Sequence, residues 1–353
     1  MTYDDGAGKR LGEMETVPSG PARIADVAAF AGVGVATVSR VLNGRAHVAD
    51  ATRERVLDAI KTLNYHPSSV ARNLSLRRTL VIGVVTPFLT NPSPIERVRG
   101  IVTGLGESEY DLALFDVESP GRQRRAFRLL ADPHRTDGLL IVSLIPPADE
   151  VARLQSAGIA TVLVDARNDA LPSVVIDDVE GGAMATRYLL ELGHRRVAFI
   201  GDKPPDGFRF LSTRDRTVGY ERALAEYGVT VRPEYVREGT HSRHVARSIA
   251  EELLRLPDRP TAIFAASDTQ ALGVLEAARA LGIRVPEELS VIGFDDIEIA
   301  SYAGLTTIRQ PLFESGRRGA ELLLAALAGN PPSARIETLQ LDLIVRGTTR
   351  PPA

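Results

Sequence analysis

Residues 24–42 read IADVAAFAGVGVATVSRVL, and the spacing of their apolar side chains narrows the possible structures sharply. Ile24, Val27, Ala28 and Ala31 fall at i, i+3, i+4 and i+7, so a short helix gains one apolar face. Gly32 ends that helix where a backbone free to take positive φ is useful. A second helix follows, with Val38, Val41 and Leu42 as its inward stripe. Val35, Ala36, Thr37, Ser39 and Arg40 lie mostly on the opposite side, where small, polar and basic side chains suit groove edges and phosphates. Two short helices joined by glycine also describe a plain αα-corner, and this pattern alone leaves both readings open. In a helix-turn-helix, the second helix is the one that reads DNA.

The residues that follow favour the second reading. Asp50 to Leu63 forms a third amphipathic pattern, with Val56, Ile60 and Leu63 on one face and Asp50 placed to cap the start. Three motifs stand in order: D-V-A-x-x-A-G-V-x-x-x-T-V-S-R-V-L-N-G at 26–44, T-R-E-R-V at 52–56 and N-Y-x-P-x-x-x-A-R-x-L at 64–74. In these residues the chain resembles the lactose-repressor/galactose-repressor (LacI/GalR) family of bacterial transcription regulators. The resemblance implies a DNA-binding head in which Val35, Ala36, Thr37, Ser39, Arg40 and Asn43 meet the operator and His47 reaches in from the next loop. It also implies a hinge helix, opened by Pro67, that folds at the operator, pairs with its copy in a partner subunit and wedges Leu74 into the central minor-groove step. A segment this short cannot hold a helix alone in water, where the nucleation constant is roughly 10⁻³.

Charge supports a head that meets phosphates. Residues 21–79 carry nine Arg and Lys against four Asp and Glu, a net of +5, within a chain whose total is −3. A basic head on an acidic body is what phosphate binding requires, because counterion release supplies most of the non-specific affinity. The 353 residues, 44% apolar, are enough for more than one domain with a sizeable core. No cysteine is present, which suits a reducing compartment. Neither a leader-like apolar stretch near Met1 nor any run long enough to span a bilayer is found, so a cytoplasmic protein is expected. Residues 1–20 are polar and aperiodic and read as a disordered tail.

From Leu80 onward short apolar runs alternate with helical patterns. Strands are expected at Leu80–Val85, Leu112–Phe115, Leu139–Val142, Thr161–Val164, Val197–Ile200, Ala262–Ala266 and Val291–Phe294, with helices between them. Such alternation implies parallel sheets covered on both faces. About 270 residues of it is large for one sheet, so two lobes are expected. The motifs I-D-D-V-E-G-G-A at 176–183, V-I-G-F-D-D at 291–296 and T-T-I-R-Q-P at 306–311 extend the resemblance to the periplasmic-binding-protein-like core of the same family.

The expected fold is therefore a small all-α helix-turn-helix head joined by a hinge helix to an α/β two-lobed core with parallel sheets. The expected boundaries are a tail at 1–20, the head at 21–66, the hinge and linker at 67–79 and the core at 80–353. Within the core, the resemblance implies that 80–175 and 305–335 form lobe 1, and 176–304 and 336–353 lobe 2. Glu337–Val345 is expected to be one strand of lobe 2, and nothing after it offers the leucine heptad that tetramerises some family members.

Ligands of open α/β sheets bind beyond the carboxyl ends of strands, and Asp165, Ser267, Asp268, Asp295 and Asp296 each follow a strand pattern. With Arg216, expected at a helix start, they can converge on an interlobe cleft. Carboxylates that accept from vicinal hydroxyls and an arginine that donates as a fork suit a sugar or another small polar ligand. The resemblance assigns effector contacts to Asp165, Arg216, Ser267 and Asp295. Acids after strands also cap helices, and Asp268 is expected to do so. The chain departs from the family at Ser93 and Pro94, which replace an aromatic pair that often packs on the ligand.

An enzyme is not expected. Gly100, Gly104 and Gly106 miss both common phosphate-loop spacings, and no G-x-S-x-G elbow is present. Asp295 and Asp296 are adjacent on an extended chain and point opposite ways, so they cannot flank one bond. His241 and His244 lack a third metal ligand and are expected to be two exposed histidines. No catalytic residue, metal or cofactor is assigned. The expected partners are a pseudo-palindromic double-stranded operator, a carbohydrate-like effector and a second copy of the chain. A free-standing solute-binding protein is the main rival, since its core would look the same.

Overall fold

The computed structural model describes residues 22–42, 48–65, 78–203, 208, 210–331 and 335–353, and the chain divides into two compact units after Arg77. In the first unit, α1 (Ile24–Ala31) and α2 (Val35–Leu42) are bent by 104° at Gly32, whose φ of +63° continues neither helix. α3 (Asp50–Thr62) closes the bundle. Val27, Ala31, Val38, Val41, Val56 and Ala59 form one apolar core with Tyr65, the aromatic residue of the N-Y-x-P motif.

The helix starts differ in part from expectation. Ala49, not Asp50, is the N-cap of α3, and Asp50 is its first helical residue, where it favours the positive end of the helix dipole. In α1 the carboxylate of Asp26 accepts the Arg23 backbone N–H at 2.7 Å, which steadies a start that lacks a capping hydroxyl. The N-terminal carbonyl of α2 belongs to Gly34, which accepts from Thr37 and Val38, and a Cβ at Gly34 meets nothing within 4 Å. Gly34→Ser is therefore expected to raise the stability of the head by a few tenths of a kcal/mol and by no more than about 1 kcal/mol, measured by denaturation of the whole chain.

In the second unit, β1 (Val81–Thr86), α4 (Pro92–Leu105), β2 (Asp111–Asp116), α5 (Pro120–Leu130), β3 (Gly138–Val142), α6 (Ala148–Ser156), β4 (Ala160–Val164) and β5 (Ser173–Val175) begin lobe 1. Lobe 2 follows as α7 (Asp178–Glu191), β6 (Val197–Asp202), α8 (Ser212–Glu226), β7 (Val236–Gly239), α9 (Arg243–Leu254), β8 (Ala262–Ala265), α10 (Asp268–Ala280), β9 (Ser290–Asp295), α11 (Glu298–Tyr302) and β10 (Thr306–Arg309). The chain returns to lobe 1 with α12 (Leu312–Leu327) and β11 (Ile336–Thr338), and ends in lobe 2 with β12 (Asp342–Ile344). The first sheet has the order β11-β5-β4-β3-β1-β2 and the second β12-β10-β9-β8-β6-β7. Every pairing is parallel except β12 with β10. Each sheet is buried between two apolar clusters, as the near-continuous Val, Ile and Leu of its strands demand.

Two expected crossings move by a few residues. The crossing expected near 305 falls after β10, because Thr306 to Arg309 pair with β9 in the second sheet. The crossing expected near 335 falls after β11, because Ile336 to Thr338 pair with β5 in the first. Glu337–Val345 is thus two strands in two lobes. β10 escaped a reading by apolar runs because Thr306 and Thr307 are fully buried, their hydroxyls held by Thr349 and Asp268.

Two glycine contacts set the helices that carry the cleft. A Cβ on Gly316 of α12 would stand 1.9 Å from the Arg97 carbonyl of α4, and one on Gly182 of α7 would stand 2.2 Å from the Arg216 carbonyl of α8. These helices therefore touch backbone to backbone. Among the described residues no single helix is long and apolar enough to cross a membrane.

Candidate functional site

The reader helix presents two kinds of surface. Val38 and Val41 are buried, whereas Val35, Ala36 and Arg40 are exposed and Thr37 and Ser39 half-buried. Arg40 is thus the one long hydrogen-bond donor on the open face of α2. Asn43, His47 and Leu74 lie outside the described residues.

In the second unit the carboxyl ends of β1, β3 and β4 face those of β6, β8 and β9, and a cavity of about 310 Å³ lies between them. Asp165, Arg216, Ser267 and Asp295 all line it. Asp165 and Asp295 adopt positive φ, +59° and +114°, at the points where their strands end. Asp165 accepts from Ser143 Oγ at 2.6 Å and lies 2.8 Å from Arg97 Nη2. Asp295 accepts from Gln310 Nε2, and burial pushes its carboxyl above the usual range despite the nearby Arg216 charge. Asp296 points away, to Arg309 and Arg346, so the two neighbouring acids do serve separate places.

Arg216 is not at a helix start, since α8 opens at Ser212 and places it in the second turn. Its Nε lies 2.8 Å from Asp178 Oδ1, another of its nitrogens donates to the Ala266 carbonyl, and its guanidinium stacks 3.6 Å from the Phe294 ring. Burial pushes Asp178 up to about 6, against the pull of Arg216. The arginine thus has a half-buried partner before any ligand enters. Ser267, rather than Asp268, caps α10, its hydroxyl accepting the Gln270 N–H at 3.2 Å. Asp268 is instead fully buried and accepts from Thr307 Oγ1 and the Ile297 N–H.

Several cleft residues carried no signal of their own in the sequence. Arg97 comes from the exposed-looking pattern of α4 and is 3% exposed. Gln310 and Asp178 lie within quoted motifs but were not distinguished there. His241, expected to be an exposed histidine, is half-buried, with Nδ1 3.0 Å from Asp202. Burial opposes its protonation, yet the Asp202 contact outweighs this and raises its pKa. Ser93 and Pro94 do line the cavity, and aromatic surface comes from elsewhere, from Phe88 and Phe210, whose rings are 6.3 Å apart. No group of three or more potential metal ligands exists among the described residues.

The geometry agrees with what the chain is similar to. Residues 23–68 match the bacterial regulatory proteins of the lacI family, and residues 186–349 match a periplasmic binding protein-like domain. The HTH-type transcriptional repressor PurR of Vibrio vulnificus is 34% identical over 336 residues, covering 93% of this chain and 99% of that one. A transcriptional regulator CelR–cellobiose complex is 34% identical, covers 93% of this chain and 99% of its own, and superposes with a TM-score of 0.68. The lac repressor dimer bound to operator and the anti-inducer ONPF is 28% identical, covers 94% and 100%, and superposes with a TM-score of 0.81. With a helix-turn-helix head, a two-lobed core and an interlobe cleft, this chain belongs to the lacI family of bacterial regulatory proteins, DNA-binding transcriptional repressors under ligand control.

Proposed function

We propose that the protein is a cytoplasmic, homodimeric repressor whose affinity for a pseudo-palindromic operator is set by a sugar or sugar-like effector in the interlobe cleft. The observation that carries the effector reading is the convergence of Asp165, Arg216, Ser267 and Asp295 on one cavity, with apolar Phe88 and Phe210 beside them. Carboxylates, a forked donor and an apolar wall match the hydroxyls and C–H faces of a sugar. The cellobiose complex of a relative is consistent with that choice.

Arg40, Val35, Ala36, Thr37 and Ser39 meet the operator in this reading, with Asn43 and His47 beside them and Leu74 in the minor groove. Ile95 and Val102 of α4, with Ile299 and Tyr302 of α11, leave apolar surface exposed, which supports a contact between two copies. An effector that changes the angle between lobes moves Leu80, where the linker enters the core, and so changes hinge pairing.

A thermal-shift screen of sugars, nucleosides and their phosphates tests the cleft, because only a ligand of the folded state raises the melting temperature. A neutral sugar is expected to raise it by several degrees at saturation and to change operator affinity. Stabilisation only by nucleosides or phosphates excludes the sugar reading.

A further inference from the structure

One carboxylate gathers the residues by which the chain enters lobe 1. Asp137 Oδ1 accepts the Thr79 backbone N–H at 2.6 Å and the Thr79 hydroxyl at 2.8 Å, and Oδ2 accepts the Leu80 backbone N–H at 3.0 Å. The Asp137 N–H in turn donates to the Val81 carbonyl at 2.9 Å, and the Thr79 hydroxyl accepts the Val81 N–H at 3.2 Å. On the other flank the Leu80 carbonyl accepts the Asp111 N–H at 2.8 Å. Residues 79 to 81 are thus tied to the starts of both neighbouring strands, β2 and β3. Hydrogen bonds to an ionised acceptor are the stronger kind.

The clamp holds a backbone that the chain does not take freely. Leu80 has a φ of +54°, in the left-handed region that is unfavourable for a residue with a side chain. Asp137 is itself fixed. Its neighbour Thr136 is buried and donates from its hydroxyl to the Leu130 carbonyl at the end of α5, at 3.0 Å, and Gly138 opens β3 in the interior of the sheet. A strand needs no such turn before its first residue, so the bonds to Asp137 do more than begin β1. They set the direction in which the chain before Thr79 leaves lobe 1.

That direction has a consequence for DNA. Releasing Thr79 and Leu80 from Asp137 adds two free residues to each linker, about 7 Å of reach at about 3.5 Å per residue, and about 7 Å is also the length of two base pairs. Slack linkers lower the effective concentration of the second head at its half-site and widen the range of spacings that both heads can meet together.

We propose that Asp137 is a positioning residue for operator recognition, its carboxylate fixing the exit of the chain at Thr79 and Leu80 so that a dimer accepts one half-site spacing. This rests on the reading of the protein as a homodimer on a pseudo-palindromic operator.

An operator selected by the full-length wild-type protein from a pool of random-sequence duplexes supplies the test. Affinities are measured on the selected duplex, on the same duplex with two base pairs inserted at its centre, and on a single half-site, for wild type, Asp137→Ala and Asp137→Asn. The insertion moves one half-site by about 7 Å and turns it by about 70°. Wild type is expected to prefer the selected spacing by about thirtyfold and Asp137→Ala by no more than about threefold, with the half-site affinity unchanged. Asp137→Asn keeps one acceptor oxygen and is expected to fall between them. A folding defect lowers binding to all three duplexes alike and leaves the preference for spacing as it was. Melting temperatures without DNA report folding, and Asp137→Asn carries the test if Asp137→Ala is unstable. An undiminished spacing preference in the variants, or an equal loss on all three duplexes, overturns the role of Asp137 and leaves the dimeric reading standing. If wild type binds the selected duplex no more tightly than the half-site, the inference and the dimeric reading fall together.

Discussion

Arg216→Ala is expected to destabilise the core by about 2–3 kcal/mol, besides abolishing the effector response, because it leaves the half-buried Asp178 without its counter-ion. The Ala266 carbonyl loses its donor in the same step, and the Phe294 ring loses the cation 3.6 Å from its centre. Urea denaturation with and without effector separates the two losses. Replacing both partners by apolar residues, as in Arg216→Met with Asp178→Leu, is expected to recover most of the stability and none of the ligand affinity. Asp295→Ala is expected to behave differently. Its hydrogen-bond partner, Gln310, is neutral, so the fold is expected to lose less, while effector affinity is expected to fall tenfold or more. If Arg216→Ala melts like wild type, the ion pair with Asp178 does not stabilise the core. The sequence alone pointed to an effector contact at Arg216 and gave no sign of the pairing with Asp178. The pairing with Asp178 gives Arg216 a structural role beside its place in the cavity wall.

Arg40→Ala is expected to cost about 1–3 kcal/mol at the operator and much less on random DNA. Val35 and Ala36, the exposed residues at the start of α2, carry no side-chain hydrogen-bonding group, which leaves Arg40 as the long donor on that face, and base readout is expected to fall mainly to it. Operator and random duplexes titrated at several salt concentrations distinguish the roles. A guanine contact shows as lost specificity with the salt dependence nearly kept. Equal losses on both duplexes, with a shallower salt slope, make Arg40 a phosphate contact only.

Much of this architecture follows from local chemistry that a sequence displays openly. The head is legible because Val27, Ala31, Val38 and Val41 recur at helical spacing around a glycine whose φ is +63°, and only glycine takes that conformation freely. The long parallel strands are legible because sheets buried on both faces need unbroken apolar runs, as at Leu139–Val142. The acids at strand ends could be singled out by the general placement of ligands in such folds, and Asp165 and Asp295 do line one cavity.

What tertiary structure decided is who partners whom. Asp178 lies 38 positions from Arg216 in the chain, and only the backbone contact of Gly182 and Gly219 with the facing helix sets them side by side. Arg97 is 213 positions from Gln310, on a helix that reads as half-exposed until α12 covers it. His241 became part of the cleft through Asp202 on another strand. Short strands such as β10 and β11 depend on neighbours for their hydrogen bonds, which is why the lobe crossings could not be placed to the residue. Periodicity specifies which face of an element is buried, because burial of apolar area acts on each element separately. It carries no term for which buried charge meets which, since that depends on packing between segments far apart in the chain.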